Sequence, residues 1–260
     1  RDLNAENLFL TMVTRNGTVK RLPVETLKNL RSNGIRALSL DEGDELVAVR
    51  ETDGSQRILI ATHDGMACVF DETDVRAMGR TAVGVRGIRL REGDYVVGAA
   101  RAQAGKQVLS ITENGFGKKT PVEEYRITNR GGLGIKNYMV TEKTGPVVGI
   151  KVVDGGEDLL LVTQAGILIR THVDAIRMAG RATQGVTLIA LDEGEKLAGL
   201  EKVVETEDEP DANGDAPVEP AEAPITITRS RTHLESSGHL LKSAVTNPVV
   251  VITDATWNAA

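Results

Sequence analysis

The sequence predicts an all-β protein made of four-stranded blades, set side by side as a propeller or an open arc of one, and three observations carry that expectation. An apolar, β-branched run ending in Thr, then two residues and Gly, recurs four times: FLTMVTRNG ends at Gly17, ILIATHDG at Gly65, VLSITENG at Gly115 and LLLVTQAG at Gly166, spacings of 48, 50 and 51. A second glycine keeps step at Gly34, Gly84, Gly134 and Gly185. Each unit of about fifty residues is too small to bury its own apolar face and must stack on its neighbours.

The elements of a unit follow in order. The opening run, such as 58–62, is apolar on both faces and bounded by a turn, as a buried strand is. Asn16-Gly17, Asp64-Gly65 and Asn114-Gly115 are dipeptides favoured in two-residue hairpins, whose central positions both take φ > 0. A returning strand is expected at 18–22 or 117–121, then a polar loop or short helical turn at 75–79 or 173–180, then a third strand at 85–90 or 186–191. After acidic turns (Asp41-Glu42-Gly43-Asp44, Arg91-Glu92-Gly93-Asp94, Asp192-Glu193-Gly194-Glu195), read as solvated hairpin tips, comes a fourth at 46–49, 96–100, 147–152 and 197–200. The blades span about 8–50, 57–101, 107–153 and 158–203, within one domain of residues 1–203. Kelch repeats share the period but need a double glycine and paired aromatics that three units lack, and WD repeats need a Trp-Asp pair that is absent.

Aromatic residues make up only 3%, so the core must be Val, Leu, Ile and Ala. A single cysteine, Cys68, excludes an internal disulfide framework and is expected in the core. No apolar stretch approaches a membrane span, no signal-peptide pattern opens the chain, and a first residue of Arg1 suggests a fragment or processed product. The net charge of −6 hides an asymmetry: residues 1–203 hold 28 Lys and Arg against 27 Asp and Glu, and residues 204–260 hold 3 against 10. Residues 204–224 carry eight acids, four prolines and no Lys or Arg, a composition that reads as a disordered acidic linker. Beyond it, 225–228 and 248–254 read as strands around Arg229 and Arg231, and 225–260 has no assigned role.

No catalytic set is visible: His63, His172, His233 and His239 lack metal-ligand spacing, and the glycines at 131–134 lack the Lys-Ser/Thr ending of a phosphate loop. Basic residues, by contrast, fall in phase with the repeat. After the first turn come Lys20 and Arg21, Lys118 and Lys119, and Arg170. Around the middle loop and second glycine come Arg31 and Arg36; Arg76, Arg80, Arg86 and Arg89; Arg126, Arg130 and Lys136; Arg177 and Arg181. Stacked with a small rotation, equivalent positions make a curved basic stripe suited to a phosphate backbone. Unit two departs, with Ala67 and Cys68 after its first turn.

VRAMGRTAVGVRGIRLREGD (75–94), NGFGKKTPVEEY (114–125) and AGRATQGVTLIAL (179–191) closely resemble the C-terminal domain of bacterial DNA gyrase A, over all four units. That resemblance implies a β-pinwheel, with an outer strand exchanged between neighbouring blades and a basic perimeter that wraps double-stranded DNA. The family domain normally has six blades, and this chain resembles the last four. Missing with the first is the Gln-Arg-Arg-Gly-Gly-x-Gly box used in chiral wrapping, although Arg130-Gly131-Gly132-Leu133-Gly134 echoes part of it. The resemblance further implies a non-catalytic part of an ATP- and Mg-dependent type IIA topoisomerase. Its partners would be the rest of the gyrase A polypeptide and the gyrase B polypeptide, in the cytoplasm at the bacterial nucleoid. The family's DNA-cleaving tyrosine belongs to another domain, whereas Tyr95, Tyr125 and Tyr138 lie inside blades. Two alternatives stay open: the corresponding domain in the A subunit of topoisomerase IV, and a propeller-like protein-interaction scaffold. The acidic segment is expected to compete with DNA for the basic rim.

Overall fold

Each unit begins with a hairpin that its recurrent Thr and Gly build together. In the first, Gly17 donates its amide to the Thr14 carbonyl, and the Thr14 hydroxyl accepts the amide of Thr18. The same bonds recur at Thr62, Thr112 and Thr163. Only the glycine is left-handed, Gly17 at φ 82° and Gly65 at 78°, whereas Asn16, Asp64 and Asn114 are not. Cα pairing stops at Val13 and Val19, so three residues separate Thr14 from Thr18. The turn is therefore a type I turn followed by a glycine bulge, a correction to the two-residue hairpin expected from Asn-Gly and Asp-Gly. The physical reason is the threonine: its hydroxyl takes the amide beyond the turn, so one left-handed residue suffices.

The computed structural model describes residues 7–28, 34–203 and 249–252, which fall in a single unit of chain contacts. The acidic segment at 204–224, the strand expected at 225–228, and Arg31 lie outside the described residues. The strands are β1 (Phe9–Thr14), β2 (Thr18–Pro23), β3 (Ile35–Ser39), β4 (Leu46–Thr52), β5 (Arg57–Thr62), β6 (Met66–Asp71), β7 (Val85–Arg86), β8 (Val96–Arg101), β9 (Gln107–Thr112), β10 (Phe116–Pro121), β11 (Ile135–Lys136), β12 (Val147–Val153), β13 (Asp158–Thr163), β14 (Leu168–His172), β15 (Val186–Thr187), β16 (Leu197–Lys202) and β17 (Val249–Ile252). Single 3-10 turns at Val24–Leu27, Glu72–Asp74, Val122–Glu124 and Val173–Ala175 open the middle loops.

The sheets are out of step with the repeats. The first runs β4-β1-β2-β7, the second β8-β5-β6-β11, the third β12-β9-β10-β15 and the fourth β16-β13-β14. Each outer strand is thus lent by the following repeat, as the resemblance implies. These strands are two residues long rather than the six expected at 85–90, because the next residues bend in to bond the turn glycine of the neighbour. Gly87 and Ile88 donate to the Gly17 carbonyl, Asn137 and Tyr138 to that of Gly65, and Leu188 and Ile189 to that of Gly115. The second glycine allows the crossing: Gly134, at φ 75°, passes so close to β6 that a Cβ would sit 2.8 Å from the Ala67 carbonyl carbon. At the ends of the array, β3 pairs with β17, and no described strand covers the outer edge of β14.

The core lies between blades. Val13, Val19, Ile58, Ile60, Cys68, Phe70, Ile88 and Val96 pack in one such layer, and Leu59, Val69, Val108, Tyr125, Tyr138 and Ile150 in the next. Inner strands interlock, with Ile150 seated on Gly98 and Leu200 on Gly149. They are also bonded across blades: Val96 donates to the Arg15 carbonyl, Val147 to that of His63 and Leu197 to that of Glu113. The acidic turns join strands of different sheets and are not hairpin tips. Asp44 is buried, and its Oδ1 accepts the amides of Asn16 (2.9 Å) and Glu45 (2.8 Å). Asp94 does the same for Asp64 and Tyr95.

Candidate nucleic-acid interface

The outer edge of a blade is its second strand, and the middle loop of the following repeat folds over it. Met78 donates to the Arg21 carbonyl, Thr128 to that of Val69 and Ala179 to that of Lys119, which adds a parallel bridge beside each second strand. Rim loops 76–84, 126–134 and 177–185 therefore repeat along the array. Their arginines are the first residues beyond the buried Val75, Tyr125 and Ile176, so chain direction alone turns Arg76, Arg126 and Arg177 to solvent.

Most of the expected basic residues stand on this perimeter. Arg36, Arg76, Arg80, Arg86, Arg89, Arg126, Lys136, Arg170 and Arg177 are exposed, and Arg130 and Arg181 are half-buried. Among the described residues Arg76, Arg80, Arg86, Arg89, Arg126 and Arg177 have no carboxylate within ion-pair distance, whereas Arg170 pairs with Asp158. Three acids in the 3-10 turns that lead into these loops are bonded to backbone. Glu72, 1% exposed, accepts the amides of Gly54 and Gln56 at 2.8 Å and faces the Arg21 guanidinium at 3.5 Å. Glu123 accepts the Gly105 amide, a bond that holds its carboxyl below the usual range, and Asp174 accepts that of Gly156. These three carboxylates thus tie the turns between blades, and among the described residues several guanidinium groups remain unmatched.

Four of the expected contacts are placed otherwise. Lys20 and Lys118 are fully buried, and Lys119 is 6% exposed with its Nζ 3.9 Å from Asp174. Arg21 lies over the Phe9 ring, 4.3 Å from its centre, and faces Glu72. Lys20 and Lys118 are corrected from phosphate contacts to interior groups: their strands are covered by the lent loop, and their ammonium groups bond its carbonyls. Burial pulls both ammonium groups down to a pKa of about 8; Glu124 opposes that for Lys118 and Arg181 adds to it. A signal in the sequence marks this position, since Cys68 and Ile169 occupy it in the other two units.

The partial box is an inter-blade tie. Arg130 donates from Nε to the Asp74 carbonyl (2.9 Å) and from Nη1 to that of Arg86 (3.0 Å), and Gly131 donates to the Gly87 carbonyl. Arg181 repeats the contact with the Lys136 carbonyl at 2.8 Å. Unforeseen in the sequence are Ile127 and Met178, exposed apolar side chains directly after Arg126 and Arg177.

An opening of about 630 Å³ lined by all four blades contains Arg15, His63, Tyr95, Glu113, Gln164 and Lys196. There Arg15 stacks on Tyr95 and lies 4.0 Å from Glu45, and Glu113 pairs with Lys196. His63, Asp64 and Asp94 offer ligand atoms within 4.8 Å of one another. Asp94 is already held by two amides in the manner of Asp44, so this cluster is a turn cap. Cys68 is buried in a core layer as expected, and burial raises its thiol to about 12. Tyr125 and Tyr138 are buried, which raises both phenols above their ordinary value. No helix of the described residues is long and apolar enough to cross a membrane.

Comparison with known proteins agrees with this architecture. The family model described as DNA gyrase C-terminal domain, beta-propeller, matches residues 9–53, 56–103, 106–154 and 157–203, one segment per repeat. The chain is 57% identical over 206 residues to the DNA gyrase A subunit of Halalkalibacterium halodurans, covering 79% of this chain and 25% of that protein. It is 59% identical over 192 residues to the same subunit of Streptococcus pyogenes, covering 74% and 23%. The chain thus spans about a quarter of the length of these curated relatives. Among solved structures, a DNA gyrase A C-terminal domain superposes with a TM-score of 0.70 at 25% identity, covering 78% of this chain and 68% of that one. The C-terminal domain of a DNA topoisomerase IV gives 0.73 at 28%, covering 78% and 64%. With every repeat matched by the family model and the strand exchange in place, the chain belongs to the DNA gyrase C-terminal domain family.

Proposed function

We propose that this chain binds and bends double-stranded DNA around its outer rim, as part of a gyrase A polypeptide that supports ATP-dependent negative supercoiling together with gyrase B. The observation that carries the reading is the repeated rim loop with its unmatched arginines at Arg76, Arg80, Arg126 and Arg177. Equivalent cations one blade apart track a curved path, and a duplex that follows it exchanges condensed counterions for guanidinium groups. Contacts of this kind reach phosphate, so sequence enters mainly through the energy of bending. Bond breakage, ATP and Mg belong to other parts of the enzyme. The proposed location is the bacterial cytoplasm, at the nucleoid.

A linking-number assay tests the reading. The chain is bound to relaxed circular plasmid, a type I topoisomerase relaxes the complex, and topoisomers are read after the protein is stripped. A shift of one sign in proportion to bound protein is the expected result. Retained DNA with no shift restricts the function to binding. Loss of all retention, or affinity independent of salt, returns the rim to an ordinary surface and favours a protein-interaction scaffold.

A further inference from the structure

Two ammonium groups sit where the chain cannot present them to solvent, and each has found three oxygens. Lys20 Nζ donates to the carbonyls of Ala37, Arg80 and Ala82, all at 2.8 Å. Lys118 Nζ donates to the carbonyls of Gly180 (2.6 Å) and Arg181 (2.5 Å) and lies 3.2 Å from the Thr183 hydroxyl. Most of these oxygens belong to the loop lent by the following repeat, about sixty residues on, and they include the main chain of the rim arginines Arg80 and Arg181. An ammonium has three donors and no acceptor, so one Nζ satisfies three converging oxygens, of which the carbonyls would otherwise repel one another.

We propose that Lys20 and Lys118 are positioning residues for the DNA rim: each clamps the arginine-bearing loop of the next blade from beneath, so that its guanidinium groups are held in order before DNA arrives. The proposal rests on the DNA-binding reading above. An unclamped loop would have to be ordered on binding, and the backbone entropy lost there lowers affinity without removing any charge. The molecule contains its own control. At the equivalent position of the second blade stands Cys68, and the loop over its strand, 126–134, has only the arginine tie, from Arg130 to the carbonyls of Asp74 and Arg86, whereas loop 177–185 has both the Arg181 tie and the lysine.

The test uses the full chain with Lys20→Met and Lys118→Met together, which keep the apolar stem and remove the ammonium. Hydrogen exchange at pH 7 is expected to speed up about tenfold or more in loops 76–84 and 177–185 and to stay unchanged in 126–134. On a linear duplex affinity at 0.1 M salt should fall at least tenfold with the log-log salt slope unchanged, because every rim cation still reaches phosphate in the complex. A role in stability alone lowers the unfolding midpoint while leaving that affinity and the loop ratios intact, and this result overturns the proposal. So does faster exchange without any change in DNA binding. If the wild-type chain itself shows no salt-dependent binding, the DNA reading fails, and the loop exchange still decides whether the clamps exist. If the variant does not fold, wild-type exchange at pH 7 and pH 9.5 replaces it: an amine held at about 8 beneath the closed loop and at 10.5 once released favours the closed loop as the pH rises. Loops 76–84 and 177–185 should then lag behind 126–134, which carries the same base-catalysed acceleration. A constant ratio refutes the clamp.

Discussion

Replacing Gly134 by Ala isolates the crossing on which the strand exchange depends. Two costs add at this site. The residue has φ 75°, where an L side chain loses about 1–2 kcal/mol. Its Cβ would press on the Ala67 carbonyl, with the carbonyl carbon at 2.8 Å and the Cys68 amide nitrogen at 3.3 Å. All of these are backbone atoms of β6, so no rotamer change relieves them and the strands must part, at about 1–3 kcal/mol. The sum is about 3 kcal/mol, or roughly 6–12 °C in unfolding midpoint for a body of about two hundred residues. Two residues earlier, Gly132 has nothing within 4 Å of its Cβ position and no positive φ, so Gly132→Ala should be neutral within about 0.5 kcal/mol. The assay is thermal and urea unfolding of both variants beside the wild type. Equal stability of the Gly134→Ala variant, or an equal loss in both, would refute the claim that backbone contact at the second glycine holds the exchange.

Other outcomes follow from groups already described. Cys68, raised to about 12 by burial, should resist a thiol reagent at pH 8 in the native chain and react at the rate of a free cysteine in denaturant; comparable rates would remove it from the core. Lys20 and Lys118 titrate at about 8 in the folded chain and at 10.5 when unfolded. Between these values the unfolded chain holds more protons, so these two groups make stability rise with pH from about 8 to 10.5. Urea midpoints of the wild type relative to the Lys20→Met and Lys118→Met pair check the sign, and a falling difference would reverse it. Removing residues after Val203 should tighten DNA binding at low salt and have little effect at high salt, because eight acids then no longer compete for the rim. Unchanged affinity would leave the segment as a solubilising extension.

Blade architecture was legible in the sequence because threonine and glycine recur at the hairpin of every unit, and local chemistry alone makes that turn. What stayed hidden is nonlocal. The third strand shrinks to two residues at Val85–Arg86 because its continuation bonds the previous unit's turn glycine, a partner some seventy residues away. Repeat phase brought the basic residues to one edge, but phase does not say which way a side chain turns. Lys20 and Arg76 look alike as charges in register; one is sealed beneath a loop and the other stands exposed at its start. Cys68 and Ile169, apolar at the lysine position, are the trace of that interior left in the chain. The acidic turns misled for the same reason, since Asp44 bonds amides inside the fold and not water.

The strand exchange has a consequence for how such a chain can lengthen. Every repeat carries both a plug, its third strand, and a socket, the outer edge of its second, and each junction joins the plug of one repeat to the socket of the repeat before. A duplication or deletion that removes or inserts one whole repeat therefore creates no junction of a new kind. Blade number becomes a quantity that recombination can adjust in whole steps, and the arc of the rim changes with it by one blade at a time. Only the termini escape this rule. At one end the plug β3 is engaged by β17, and at the other the socket beside β14 is the single outer edge among the four described blades without a strand from the array.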